Sequence, residues 1–293
     1  MVPPVKPTEE DCCHSGCNPC IFDVYERQLK LYQKYLEKGS NGNEPSDNGI
    51  SELVCTQFEV VKSTTVGFDH KIILFKRKQQ DNKQVWWKPG QHFLIKYNGT
   101  NSICSRAYTP FKFKNDNSDL FDFSIVVKKY KTGFVSQFLY NLTIGETTLW
   151  RGPYGSYKFQ PDSYNRIIMF AQGTGITPFL SIIENILINE DFMTKINLFV
   201  CYAKNAILFR DELYSFKSYW NFNYRIFLSD MVEIEAKYQE PIEFRKLKKL
   251  DIDNLKPFCP KDCFLLCGAN QFIEDYHMYL VKENVSTQNI IKF

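Results

Sequence analysis

The sequence predicts two folded domains in tandem, an antiparallel β-barrel and then an open parallel α/β sheet, behind a small Cys-rich N-terminal segment. Three observations predict this. Residues 50–159 hold short β-branched and aromatic runs separated by Asn-, Gly- and Lys-containing turns, the pattern of a small barrel. From Arg166 onward, apolar runs alternate with helical periods, the pattern of a parallel sheet with helices on both faces. Between Gly39 and Gly49 lies a polar Gly/Asn-rich linker. The domains so read are residues 1–48, 49–161 and 162–293.

Composition narrows the function classes. Of 293 residues, 44% are hydrophobic and 24% charged, enough apolar material for a normal core. The net charge of +3 is too small, and its lysines too scattered, for a nucleic-acid binder. No run reaches the roughly eighteen apolar residues that span a bilayer. Met1-Val-Pro-Pro4 lacks the charged and apolar regions of a signal peptide, and Val2 stands where myristoylation needs glycine. A soluble cytoplasmic protein is expected, with mitochondrial association as the other reading. Its ten cysteines are then expected to be mostly reduced thiols.

In the first segment, Cys12-Cys-His-Ser-Gly-Cys-Asn-Pro-Cys20 precedes a helix-like run, Ile21 to Lys38, with Tyr25, Leu29, Tyr32 and Leu36 on one face. Cys12, Cys13, Cys17 and Cys20 have spacing compatible with zinc or an iron–sulfur centre. A metal-free cluster of packed or redox-active thiols is the other reading.

The barrel strands are expected at Phe58–Thr65, Lys71–Phe75, Gln91–Tyr97, Phe121–Lys128 and Thr147–Trp150. Arg106-Ala-Tyr-Thr-Pro110 alternates across a strand edge, placing a cation and a flat phenol on one face. That pair suits a ligand bearing both phosphate and an aromatic ring system. Gly133-Phe-Val-Ser136 opens a short helix with a Val135, Phe138, Leu139, Leu142 stripe, and its N-terminus is a second anion seat.

In the α/β part the expected order begins with strand Arg166–Ala171, helix Pro178–Ile188, strand Ile196–Ala203 and helix Arg210–Tyr219. Strand Tyr224–Ser229, a long connection over residues 231–262, strand Cys263–Leu266, helix Asn270–Val281 and strand Asn289–Phe293 complete it. Gly173-Thr-Gly-Ile-Thr-Pro178 joins the first strand to the first helix, with Thr177 a candidate N-cap and Pro178 a first helical residue. Glycines allow close backbone approach, and free N–H groups favour phosphate. Cys267-Gly268 follows the last long strand, at the end where such sheets bind ligands. Two nucleotide seats in one chain, with no hydrolytic motif or P-loop lysine, suggest electron or hydride transfer between two cofactors.

A set of motifs runs in order through residues 50–293. It comprises Pro89-Gly-Gln-His92, Arg106-x-Tyr-Thr-Pro110, Val126-Val-Lys-x-Tyr130, Gly133-x-x-Ser136, Arg151-Gly-Pro-x-Gly155, Gly173-Thr-Gly-Ile-Thr-Pro178, Cys267-Gly268 and the terminal Phe293. In these motifs the chain resembles the ferredoxin reductase superfamily and, within it, the NADH–cytochrome b5 reductases. The resemblance implies FAD in the barrel and NADH on the α/β domain, with Lys204 and Arg210 keeping NADPH as an alternative. It implies that Arg106 holds the FAD pyrophosphate together with Gly133, Val135 and Ser136, which supply backbone and hydroxyl donors. Tyr108 would lie along the flavin, and Thr109 would bond near its reactive nitrogen. Val126, Lys128 and Tyr130 would line the cofactor. Gly173, Thr174, Gly175 and Thr177 would cradle the dinucleotide, with Cys267 and Gly268 beside the nicotinamide. Thr109, Thr177 and Cys267 are the candidate catalytic residues.

Departures stand at Ala107 for Pro, at Gln172 for Gly, and at Ala269-Asn-Gln271 for a proline-rich turn. The Cys-rich segment resembles a small oxidoreductase-like module. The function expected is a flavoprotein reductase passing electrons to a haem protein such as cytochrome b5. The alternatives are a flavin reductase feeding a metal centre at Cys12–Cys20, and a metal-binding adaptor without catalysis.

Overall fold

The computed structural model describes residues 3–4, 6–7, 9, 21–38, 47–79, 83–98, 103–114, 116, 120–157, 163–203, 207–229 and 235–293. They fall into two compact units, Met1–Thr64 with Lys71–Tyr157, and Thr65–His70 with Lys158–Phe293.

The first unit carries α1 (Ile21–Lys38) and joins its sheet from Asn48. The Asn48 side chain accepts the Trp86 N–H and donates to the Trp86 carbonyl, while the Gly49 N–H donates to Gln84. Six strands follow: β1 (Thr56–Val66), β2 (His70–Arg77), β3 (His92–Asn98), β4 (Ile103–Tyr108), β5 (Phe123–Lys128) and β6 (Thr147–Tyr154), with α2 (Phe134–Asn141) between the last two. Their order is β4-β3-β6-β1-β2-β5. All six strands send buried side chains into one core, among them Phe58, Phe75, Phe93, Cys104, Phe123 and Trp150. Both ends of the sheet thus wrap around one centre, as a barrel requires. Phe123 lies 5.0–5.5 Å from the rings of Phe58, Phe75, Phe93 and Trp150, and three of the four pairs are edge-on.

Two strands differ from the sequence expectation. β4 is a full six-residue strand, although Ile-Cys-Ser-Arg-Ala-Tyr carries little β-branched character; pairing of Phe93 with Tyr108 and Ile95 with Arg106 holds it. β6 runs on to Tyr154 through Gly152-Pro153, residues that read locally as a turn.

The second unit is a parallel sheet of β7 (Arg166–Gln172), β8 (Lys195–Tyr202), β9 (Phe222–Leu228), β10 (Ile242–Glu243), β11 (Asp262–Cys267) and β12 (Ile290–Lys292), in the order β10-β9-β8-β7-β11-β12. Its helices are α3 (Thr177–Ile188), α4 (Arg210–Phe216), α5 (Lys249–Asp253) and α6 (Asn270–Lys282). Ile167 to Ala171 are wholly buried, as a strand covered on both faces demands. Ile168 and Phe170 pack with Phe264, Leu266, Ile273 and Leu280 on one face, leaving Ile167, Met169 and Ala171 for the other. Strand order reverses at β7, whose neighbours are β8 and β11, so the carboxyl ends of β7 and β11 flank the switch point.

The 231–262 connection, expected as loop and helix, also supplies the edge strand β10. Two residues are too few to carry a period. Leu247 and Ile252 of this segment are buried against the sheet.

Candidate functional site

At the switch point, β7 ends in Gln172 and the chain turns through a 3-10 segment, Gly173–Ile176, straight into α3. Gly173 has φ +56°, and a Cβ there would meet no atom within 4 Å, so the turn opens outward. Gly175 faces the other way. A Cβ on it would stand 2.5 Å from the Cys267 carbonyl oxygen, so the β7 and β11 loops interlock backbone to backbone. Gly173, Thr174, Gly175, Thr177, Cys267 and Gly268 are therefore brought together. Phe293 belongs to the same strand ends: its N–H donates to the Leu266 carbonyl, and its ring meets Phe179 edge-on at 5.6 Å.

Thr177 does not cap the helix. It has helical dihedrals (φ −57°, ψ −45°), and its hydroxyl donates to the Thr174 carbonyl at 2.7 Å. The 3-10 turn leads directly into the helix, so the N–H groups at the mouth are those of the glycine turn. Pro178 does lie in the first helical turn.

In the first unit, Arg106 and Tyr108 share a face of β4, paired with Ile95 and Phe93. The Arg106 guanidinium donates to the Ser105 carbonyl at 3.0 Å through Nη1, one of its five N–H groups. Tyr108 packs edge-on against Trp150 at 6.1 Å. Burial pushes its phenol well above the usual range, and Arg106 opposes that shift. Tyr130 also acts electrostatically on Tyr108, which brings Arg106, Tyr108 and Tyr130 into one neighbourhood. The Lys128 ammonium lies 5.7 Å from the centre of the Tyr130 ring. Thr109 follows Tyr108 directly and is half-buried.

The Gly133 turn is tied to the same place. The Ser136 hydroxyl accepts the Tyr130 N–H at 3.2 Å and donates to the Gly133 carbonyl at 2.9 Å. Its hydroxyl thus braces the turn from inside. α2 starts after Gly133, an N-cap with no side chain, so the N–H groups of its first turn receive no side-chain cap from it. Val135 and Val126 are buried core residues. An open cleft of about 380 Å³ runs along Phe134, Gln137, Phe138, Asn141 and Leu142 with Tyr97 and Glu146; none of Arg106, Tyr108 or Thr109 lines it.

Burial pushes the Cys201, Cys263 and Cys267 thiols up to about 12 from 9.0. They are neutral at physiological pH, and Cys267 brings no charge to the switch point. Iodoacetamide at pH 8, followed by peptide mapping, is expected to label exposed Cys259 well before these three. Equal labelling of Cys267 and Cys259 would contradict the raised pKa of Cys267. A raised thiol pKa lowers stability only as pH climbs from about 9 towards 12, where the unfolded chain ionises first.

Cys12, Cys13, Cys17 and Cys20, with the metal reading placed on them, and Lys204 lie outside the described residues. Among the described residues no group of His, Cys, Asp or Glu could hold a metal ion, and no helix is long and apolar enough to cross a membrane. Sequence reasoning missed the hydrogen bond that the Ala269 N–H donates to the Gln172 side chain; only the unusual Gln172 hinted at it.

Family models match three parts of the chain: an oxidoreductase-like N-terminal region over 1–41, an oxidoreductase FAD-binding domain over 57–159, and an oxidoreductase NAD-binding domain over 169–278. The chain is 27% identical to a mouse protein named NADH-cytochrome b5 reductase-like, across 99% of this chain and 95% of that one. The human protein of the same name is 28% identical across 93% of this chain and 88% of its own length. NADH-cytochrome b5 reductase 1 of Eremothecium gossypii is 36% identical over 62% of each. In fold, the chain is similar to the cytochrome b5 reductase domain of Ulva prolifera nitrate reductase (TM-score 0.69, 24% identity, 84% of this chain and 100% of that domain). It is also similar to a Malassezia yamatoensis flavohemoglobin (TM-score 0.70, 16% identity, 93% of this chain and 66% of that one).

Proposed function

Since the chain belongs to the FAD- and NAD-binding oxidoreductases of the ferredoxin reductase superfamily, with NADH–cytochrome b5 reductase-like relatives along nearly its whole length, we propose that it carries electrons from NADH through FAD to a b5-type haem protein. The observation that carries this reading is the interlocked glycine turn at the β7/β11 switch point, in a chain whose barrel sets Arg106, Tyr108 and Tyr130 beside an uncapped helix start.

The residues fit the two groups. Arg106 offers a cationic fork to a pyrophosphate, and the first-turn N–H groups of α2 add neutral donors. Tyr108, neutral at physiological pH, presents a flat surface for an isoalloxazine. Lys128 and Tyr130 extend that wall. FAD, when bound, supplies a two-electron acceptor that can release electrons singly.

On the second unit, the glycine turn offers backbone N–H groups to the pyrophosphate of NADH. Cys267 and Gly268 border the nicotinamide, Cys267 as an uncharged, polarisable surface. Thr109 and Thr177 orient by hydroxyl contact; because Thr177 gives its proton to Thr174, its oxygen acts as an acceptor. Phe293, anchored to Leu266 and Phe179, closes the strand ends. The six free thiols among the described residues suit a reducing compartment, and the cytoplasm is the reading adopted.

Steady-state reduction of cytochrome b5 by NADH, read in the haem spectrum with ferricyanide as a second acceptor, tests the proposal. The expected result is reduction of both, with the b5 rate falling as salt rises. Ferricyanide reduction without b5 reduction would reject the haem carrier.

A further inference from the structure

Gln172 is the last residue of β7 and the residue before the glycine turn. Its side-chain carbonyl accepts the N–H of Ala269 at 3.1 Å, a bond spanning 97 residues. Ala269 is the N-cap of α6, extended at φ −66°, ψ 150°, and it has no side-chain cap bond of its own. In a capping box the N-cap N–H is satisfied by the third helical residue. Here that residue is Phe272, which cannot accept, and its ring lies by Gly268 instead.

The two loops are fitted around this bond. A Cβ on Gly268 would come within 2.7 Å of the Gln172 Cβ and 3.0 Å of Phe272 Cδ1, while Gly175 abuts the Cys267 carbonyl. The loop holding Cys267, Gly268 and Ala269 is therefore pressed against β7 at two glycines and fastened by one polar bond. Gln172 itself is exposed, so the fastening lies at the rim of the crevice.

From this geometry we infer that Gln172 is a positioning residue for the dinucleotide: it caps α6 from the neighbouring strand and so holds the Cys267–Ala269 loop in its binding position. It acts through Ala269 and takes no part in the chemistry. The inference rests on the proposed function for what the crevice binds.

The test uses the full-length, FAD-loaded chain and the variants Gln172→Met, which keeps length but cannot accept, and Gln172→Glu, which keeps an acceptor. Hydrogen–deuterium exchange of peptides covering Cys267–Phe272 reads the bond, NAD⁺ titration reads binding, and steady-state kinetics separates KM from kcat. Gln172→Met is expected to speed exchange at Ala269 about tenfold. It should raise KM for NADH and Kd for NAD⁺ about three- to tenfold, the range of one neutral hydrogen bond, with kcat within about twofold and flavin content unchanged. Gln172→Glu is expected to retain the exchange protection.

Wild-type exchange in Gln172→Met, a lower kcat at unchanged KM, or loss of protection in Gln172→Glu would each overturn the inference. If Gln172→Met does not fold, Gln172→Glu decides alone. A wild-type chain inert towards NADH would defeat the proposed function and leave the exchange comparison standing.

Discussion

Gly175→Ala is expected to lower kcat/KM for NADH about 100-fold while FAD stays bound. The added methyl would stand 2.5 Å from the Cys267 carbonyl oxygen and 2.7 Å from its carbonyl carbon. Both are backbone atoms of β11, so no flexible side chain can move aside. Restoring ordinary contact needs a displacement of about 1 Å between the β7 and β11 loops, and misplacement of that size can cost about 100-fold in rate. The barrel residues belong to the other unit, so the flavin spectrum and the flavin-to-protein ratio should match the wild type. Stopped-flow reduction by NADH measures the effect. Wild-type kinetics in this variant would mean that the interlocked turn does not hold the dinucleotide.

Arg106→Ala is expected to empty the barrel of its cofactor. Arg106 lies on the same face as Tyr108, and among the described residues its guanidinium bonds to the Ser105 carbonyl alone, so the fork serves a ligand more than the fold. Each charge-assisted bond contributes about 1.5–3 kcal/mol, which corresponds to about 10- to 100-fold weaker FAD binding per bond lost. Arg106→Lys should recover part of the affinity, since a point charge replaces a planar fork. The absorbance ratio of flavin to protein after gel filtration reads both variants. A fully flavinated Arg106→Ala protein would remove Arg106 from the proposed site.

How much of this could be read in advance follows from the range of the interactions. β7 and α3 were legible because Ile167–Ala171 is an unbroken apolar run and Phe179–Ile188 has helical spacing, both local signals. The shared face of Arg106 and Tyr108 was legible from strand alternation alone. β4 as a whole was not, because cross-strand partners hold it and its own composition does not. The two-residue β10 was too short to show a period.

The same division runs through the candidate site. Glycines at 173 and 175 could be read as a turn, yet the contact of Gly175 with Cys267 spans 92 positions and leaves no local trace. Thr177 looked like a cap because threonine before proline usually is one; the preceding 3-10 turn makes it helical already. The position of Ser136 in a first helical turn gave no sign of its bonds to Tyr130 and Gly133. Gln172 stood out only as the wrong residue for its motif, and its partner Ala269 could be found only in three dimensions.

FAD binding and its reduction by NADH are the properties on which everything above depends. Both are read in the visible spectrum of the purified protein, taken anaerobically before and after one equivalent of NADH and, separately, of NADPH. The expected result is a flavin band at about 450 nm that NADH bleaches within the mixing time and NADPH bleaches far more slowly. A colourless protein that takes up no FAD, or a yellow one that neither nucleotide bleaches, would mean that the chain is not an NADH-dependent flavoprotein.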